Sequence, residues 1–136
     1  MEDTRIALTT AIEALKATYV TDANLVIEYD NRVAVNPSLQ TKPYLAVQVK
    51  FIDGYQADIS NTPIHRLEGH LYLVAWVKEG SGSSVANLML QHFYRGLQHK
   101  QFSAVRVRMA TPVKSAKVAD WIGFPVILPF WTDKMP

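Results

Sequence analysis

Four histidines are the residues of this chain best equipped for metal chemistry: His65, His70, His92 and His99. Their spacing argues against a shared ion. His65 and His70 are five apart, which on a strand sends them to opposite faces. His92 and His99 are seven apart, two helical turns, too far for one ion to bridge. No Asp or Glu completes either pair at ligand spacing, so surface or interface histidine is the better reading. Acid–base catalysis needs carboxylates paired in one pocket. Asp30, Asp53, Asp58, Glu68 and Glu79 are instead scattered over loops and strand ends. The run Gly80-Ser81-Gly82-Ser83-Ser84 lacks the Gly-x-Ser-x-Gly order of a nucleophile elbow and the lysine and glycine spacing of a phosphate loop. It reads as a flexible turn ahead of a helix. Cysteine is absent. That removes disulfides, thiolate zinc sites and cysteine nucleophiles, and fits a reducing cytosol. These residues point away from an enzyme, and they imply no metal or other cofactor.

The basic residues are better grouped. Arg106 and Arg108 alternate with Val105, Val107 and Met109, and Lys114 and Lys117 follow; no acid falls between Lys100 and Lys117. A basic surface of this kind can meet a polyanion. Alternating arginines also solvate a strand face or protect a sheet edge. No aromatic residue interleaves with them along the chain, so a stacking platform for single strands is missing. The formal net charge of +2 is too mild to imply nucleic acid by itself. Sequence-specific nucleic-acid binding is therefore not expected.

The elements that must position these residues follow from hydrophobic spacing. The 136 residues suit one domain, 1–136, and 49% hydrophobic content supports a core. No apolar run reaches the ~20 residues that span a bilayer. Leu8, Ala11, Ile12, Leu15 and Tyr19 form a helical stripe within Thr4 to Tyr19. Leu25 to Ile27 reads as a short strand. Leu45, Val47, Val49 and Phe51 alternate with polar residues from Tyr44 to Ile52, and Asp53-Gly54 ends that strand. Asp53 to Pro63 is a polar loop, which deeper strand pairing would shorten to a projecting arm.

The segment from Pro63 to Val77 reads as one long strand. Leu67, Leu71, Leu73, Ala75 and Val77 point one way; Arg66, Glu68, His70, Tyr72, Val74, Trp76 and Lys78 point the other. A helix from about Val85 to Gln98 follows, with Val85, Leu88, Met89, Phe93 and Leu97 as its stripe. Gly96 inside it signals a frayed end or close packing. Pro125 and Pro129 fall in the closing apolar strand and favour an edge or a bulge. The order predicts an α+β domain: two helices on one face of a mostly antiparallel sheet of about four to five strands. Alternation separates Trp121 and Trp131 from Phe124 and Phe130. One aromatic set is thus left for a second surface, a hint of oligomerisation.

In this order of elements the chain resembles the small tail terminator proteins of long-tailed bacteriophages. The resemblance covers most of the chain and rests on five places. These are the helix Ile6 to Tyr19; the Asn36-Pro37 loop leading to Pro43-Tyr44-Leu45-Ala46-Val47; the strand Arg66 to Val77; Gly80-Ser81-Gly82 followed by a helix; and Val105-Arg106-Val107 followed by an apolar strand ending Trp131-Thr132-Asp133. The chain departs from the family in a longer polar arm after Asp53.

The resemblance implies a structural phage or prophage protein in the virion tail, assembled in the host cytoplasm. It would cap the tail tube as a homohexameric ring, stop tube growth and present a surface to head-neck proteins. Its partners would be itself, the tail tube protein and head-neck connectors, with no membrane. The free chain would be a monomer in dilute solution or already a ring. The family offers no catalytic residues to carry over. Tyr55, Gln56, Asp58, Ile59, Trp121 and Trp131 are the expected oligomer contacts. Arg106, Arg108, Lys114 and Lys117 are the expected lumen-facing or partner-facing basic residues. The alternatives are another head-tail connector or head-closure protein, and a small nucleic-acid-binding module.

Overall fold

A computed structural model describes residues 2–19, 25–29, 43–56, 65–80, 83–118 and 120–134. The elements run α1 (Glu2–Ala17), β1 (Ile27–Tyr29), β2 (Tyr44–Gln56), β3 (His65–Lys78), α2 (Ser83–Leu97), β4 (Gln101–Phe102), β5 (Val105–Val107), β6 (Thr111–Pro112), β7 (Ala116–Val118) and β8 (Trp121–Lys134). The class is α+β, as expected, with two helices and one sheet among the described residues. The sheet holds eight strands rather than four to five, because β4 to β7 are only two or three residues long. Pieces that short carry no readable period.

The sheet order is β1-β2-β3-β8-β5-β4, with β6 and β7 also paired to β8. β1 runs parallel to β2; every other pairing among the described residues is antiparallel. The backbone of the fold is the β3–β8 ribbon, in register from His65↔Lys134 to Lys78↔Trp121. β8 is therefore interior to the sheet, not the edge strand that its prolines suggested. The reason lies in where the prolines point. Pro129 and Pro125 accept bonds at their carbonyls from Arg108 N–H (2.8 Å) and Val113 N–H (3.1 Å), on the side away from β3. Along a strand, a residue's N–H points the same way as its C=O. The missing N–H of each proline thus faces β5, β6 and β7 and leaves the β3 ladder whole. Pro129 falls between the segments paired to β5 and β6, and Pro125 between those paired to β6 and β7.

The long strand faces as its alternation predicts. Leu71, Leu73, Ala75 and Val77 are buried against the helices in one core with Leu8, Ile12, Leu45, Val47, Val49, Phe93, Val107, Val126 and Leu128. The helix α2 is turned from its expected facing. It buries Ala86, Met89, Leu90, Phe93 and Leu97, while Leu88 is 62% exposed and Val85 is exposed too. The β2 strand also runs past Asp53-Gly54 to Gln56, carried through a bulge between Phe51 and Asp53. It pairs Tyr55 with Arg66 and Gln56 with His65.

Two close approaches lock the two helices together. A Cβ at Gly96 would overlap the Leu15 side chain, so α2 meets α1 where only hydrogen fits. Gly96 thus marks close packing. Beside it, the Leu15 carbonyl at the α1 C-terminus takes donors from Thr18 Oγ1 (2.9 Å), Thr18 N (3.2 Å) and His92 Nε2–H (2.7 Å). These satisfy a carbonyl that the helix itself leaves free. His92 also meets the Tyr19 ring at a tilt and the Phe93 ring edge-on, at 5.1 and 5.4 Å between ring centres. It ties α1 to α2.

Candidate assembly surface

The face of the sheet opposite the helices carries the residues of interest. The period of two places Arg66, Glu68, His70, Tyr72, Val74, Trp76 and Lys78 there from β3. It adds Ile127, Pro129, Trp131 and Asp133 from β8. All but Lys78 are partly exposed, and Lys78 is exposed.

Trp131 lies near one end of this face, three pairs in from His65↔Lys134. The register sets it opposite Arg106 on β5 and Glu68 on β3. The Arg106 and Arg66 guanidinium carbons lie 4.8 and 4.3 Å from its ring centre. Arg66 also forks onto Asp133, with Nε–Oδ1 at 2.8 Å and Nη2–Oδ2 at 3.0 Å. Such a planar fork on an indole face is a geometry that lysine cannot copy. Hydrogen bonding from Arg66 holds the Asp133 carboxyl below its usual range against the opposing effect of burial; the charges of Arg66 and Arg106 pull it further. The same motif recurs more loosely nearby. Lys50 Nζ is 5.2 Å from the Tyr72 ring centre, and Lys78 Nζ is 5.8 Å from that of Trp121. The outer face is therefore aromatic in composition, cationic at its margins, and held in fixed geometry.

The expected basic residues are not one cluster. Arg106 and Arg108 sit near Trp131 and Pro129. Lys117 pairs with Ile122, nine positions along β8 from Trp131, a separation of about 30 Å. Lys117 is also engaged, 2.9 Å from Glu79. Lys114 is exposed between β6 and β7. Trp121 lies at the other end of the outer face and is packed within the single chain. It is 4% exposed and meets Tyr44 edge-on at 5.3 Å between centres. Burial, and then Glu28, push the Tyr44 phenol above its usual range. Tyr55 and Gln56 form the far end of β2, and Asp58 and Ile59 lie outside the described residues.

The pairing of Arg66 with Trp131 and Asp133 had no signal in the sequence, because residues 65 and 67 apart meet only through the β3–β8 register. Among the described residues, no group of three or more His, Cys, Asp or Glu could hold a metal ion. No described helix is long and apolar enough to cross a membrane.

No family model matches the chain, and no curated protein matches it. Among solved structures 14 chains match. One, labelled only with a sequence identifier, is 15% identical and superimposes with a TM-score of 0.71 over 100% of this chain and 98% of its own. At that identity the likeness is one of fold.

Proposed function

We propose that the chain is a structural protein of a phage or prophage tail. It caps the end of the tail tube as a homohexameric ring, stops tube growth and offers the surface to which head-neck proteins attach. The sequence resemblance motivates this reading. The observation that carries it is the outer face of the β3–β8 ribbon, where Trp131 is fixed between Arg66 and Arg106. An enzyme arranges polar groups around a cavity in which a substrate is enclosed. Here the ordered polar and aromatic groups are spread over a sheet face, as in a docking surface with aromatic and arginine anchors.

The decisive experiment removes the gene from the phage or prophage that carries it and images the lysate. Tubes of uncontrolled length without heads are the expected result, restored to normal by the gene supplied in trans. Tails of normal length, joined to heads without this protein, would end the proposal. In solution, light scattering should find a species near six times the 15.3 kDa chain mass, at least in the presence of tubes.

A further inference from the structure

Trp131 holds two arginines, of which one has its acid within the chain. They reach the indole from the two sides of β8, Arg66 from β3 and Arg106 from β5. Their guanidinium carbons lie at similar range, 4.3 and 4.8 Å from the ring centre. The Arg66 fork takes both carboxylate oxygens of Asp133. Arg106 is exposed, and among the described residues no carboxylate pairs with it and no acceptor takes its side-chain N–H groups. A guanidinium packed on an aromatic ring still offers donors in a rigid fork that matches a carboxylate. A side chain already held in place also has less rotamer freedom to lose on binding.

The surroundings favour one acid on a protein over a nucleic-acid backbone. Glu68 faces Trp131 across the β3–β8 ladder, and Asp133 lies two residues further along β8. A phosphate chain laid here would run against both carboxylates, whereas a single acidic side chain meets one guanidinium. Pro129, Ile127 and Tyr72 continue the face as half-exposed apolar and aromatic groups, the composition of a protein contact.

We infer that Arg106 takes the carboxylate of an Asp or Glu side chain on the head-neck partner, forked as Arg66 is forked on Asp133, with Trp131 as its positioning residue. The inference deepens the docking surface proposed above and rests on that reading.

The test mixes variant tails with wild-type heads and counts joined particles. Arg106 is exposed, so its variants should keep the wild-type melting curve. Arg106→Lys keeps the charge and loses the fork. It should join heads at least about tenfold less well than wild type, as Arg106→Ala does. Arg108→Lys, at the exposed arginine two residues on, should join normally. Normal joining by Arg106→Lys would leave only a diffuse charge and overturn the inference. Tails of uncontrolled length from Arg106→Lys would place Arg106 at the tube or between copies, with the same consequence. Trp131→Leu should lower joining in the wild type and add little in the Arg106→Ala background. An equal loss in both backgrounds would remove Trp131 from the positioning role.

Phage bearing Arg106→Glu are then plated for revertants. The expected second-site changes replace an Asp or Glu by Lys or Arg in a head-neck gene. Such a change in this chain's own gene would mean a contact between copies and sink the inference. Normal joining with failed DNA ejection would give the site to nucleic acid instead. Deleting the gene separates the two levels. Headed tails of normal length without the gene would end the proposed function. Uncontrolled tubes without the gene, with normal joining by Arg106→Ala, would end this inference alone.

Discussion

Phe130 lies directly over Gly69, the residue it faces across the β3–β8 ladder. A Cβ at Gly69 would overlap both the phenyl ring and the Lys50 backbone carbonyl. Phe51 then packs edge-on against Phe130, 5.8 Å between centres at 90°. The bulge at Ile52 begins at the Phe51↔Gly69 pair, so one glycine serves both the aromatic contact and the bend.

Gly69→Ala should therefore destabilise although alanine is the stiffer residue. Overpacking costs about 1–3 kcal/mol, and a backbone oxygen cannot turn away as a side chain can, which puts this site at the upper end. Chemical denaturation should show a lower midpoint at unchanged slope. An unchanged midpoint would mean that β2 and β3 are less closely joined than described.

The two leucines that the sequence put in one core separate cleanly by truncation. Leu73 is fully buried, and Leu73→Ala should cost about 2–5 kcal/mol. Leu88 faces water, and Leu88→Ala should fall within about 0.5 kcal/mol of wild type. Equal losses in urea titrations would refute the facing of α2.

Asp133 supplies a pH test. Its carboxyl is held below the usual range by Arg66, so the folded state favours the charged form. The stability it contributes is fully present above the unfolded value of about 4 and is lost as pH falls through the lower folded value. Asp133→Asn should be less stable than wild type near neutrality, and the gap should close in strong acid. A gap that is constant with pH would show that the fork does not stabilise the fold.

Arg106 and Arg108 divide two roles. Under the proposed function, the pair Arg106→Glu and Arg108→Glu should stop tails from joining heads, because the outer face docks an acidic partner surface. Joining should survive moderate salt in the wild type if the ion pairs are covered. Normal joining with failed DNA ejection would instead assign the arginines to the lumen. No effect on either would leave them as a solvated strand face.

The sequence made the main elements readable because their periods are long and regular. α1 was expected over Thr4 to Tyr19 and runs Glu2–Ala17. The inner face of β3 alternates without error from Leu71 to Val77. Legibility failed where a period was interrupted. The bulge at Ile52 inserts one residue, so the alternation of β2 appeared to end at Asp53-Gly54 although pairing continues to Gln56. On α2, Met89, Phe93 and Leu97 fit two overlapping stripes. Leu88 gives the stronger hydropathic signal, but the structure chooses the side with Ala86, fully buried, where only a small side chain is placed. The assembly surface was half visible. The basic alternation at Arg106 and Arg108 could be read from neighbours in sequence; the indole beside Arg106 could not, since it comes from another strand.

The two prolines of β8 give the sheet an uneven grain. On the β3 side, β8 is zipped along its whole length; on the other it is basted by three short stitches of three, two and three residue pairs. Opening one stitch leaves the others and the zipper untouched. Amide protons of β6 and β7 should thus trade with deuterium through small local openings, while those between β3 and β8 wait for global unfolding. The flank that bears Met109 and Val113 is the compliant margin of an otherwise stiff plate, free to breathe without disturbing the core beneath it.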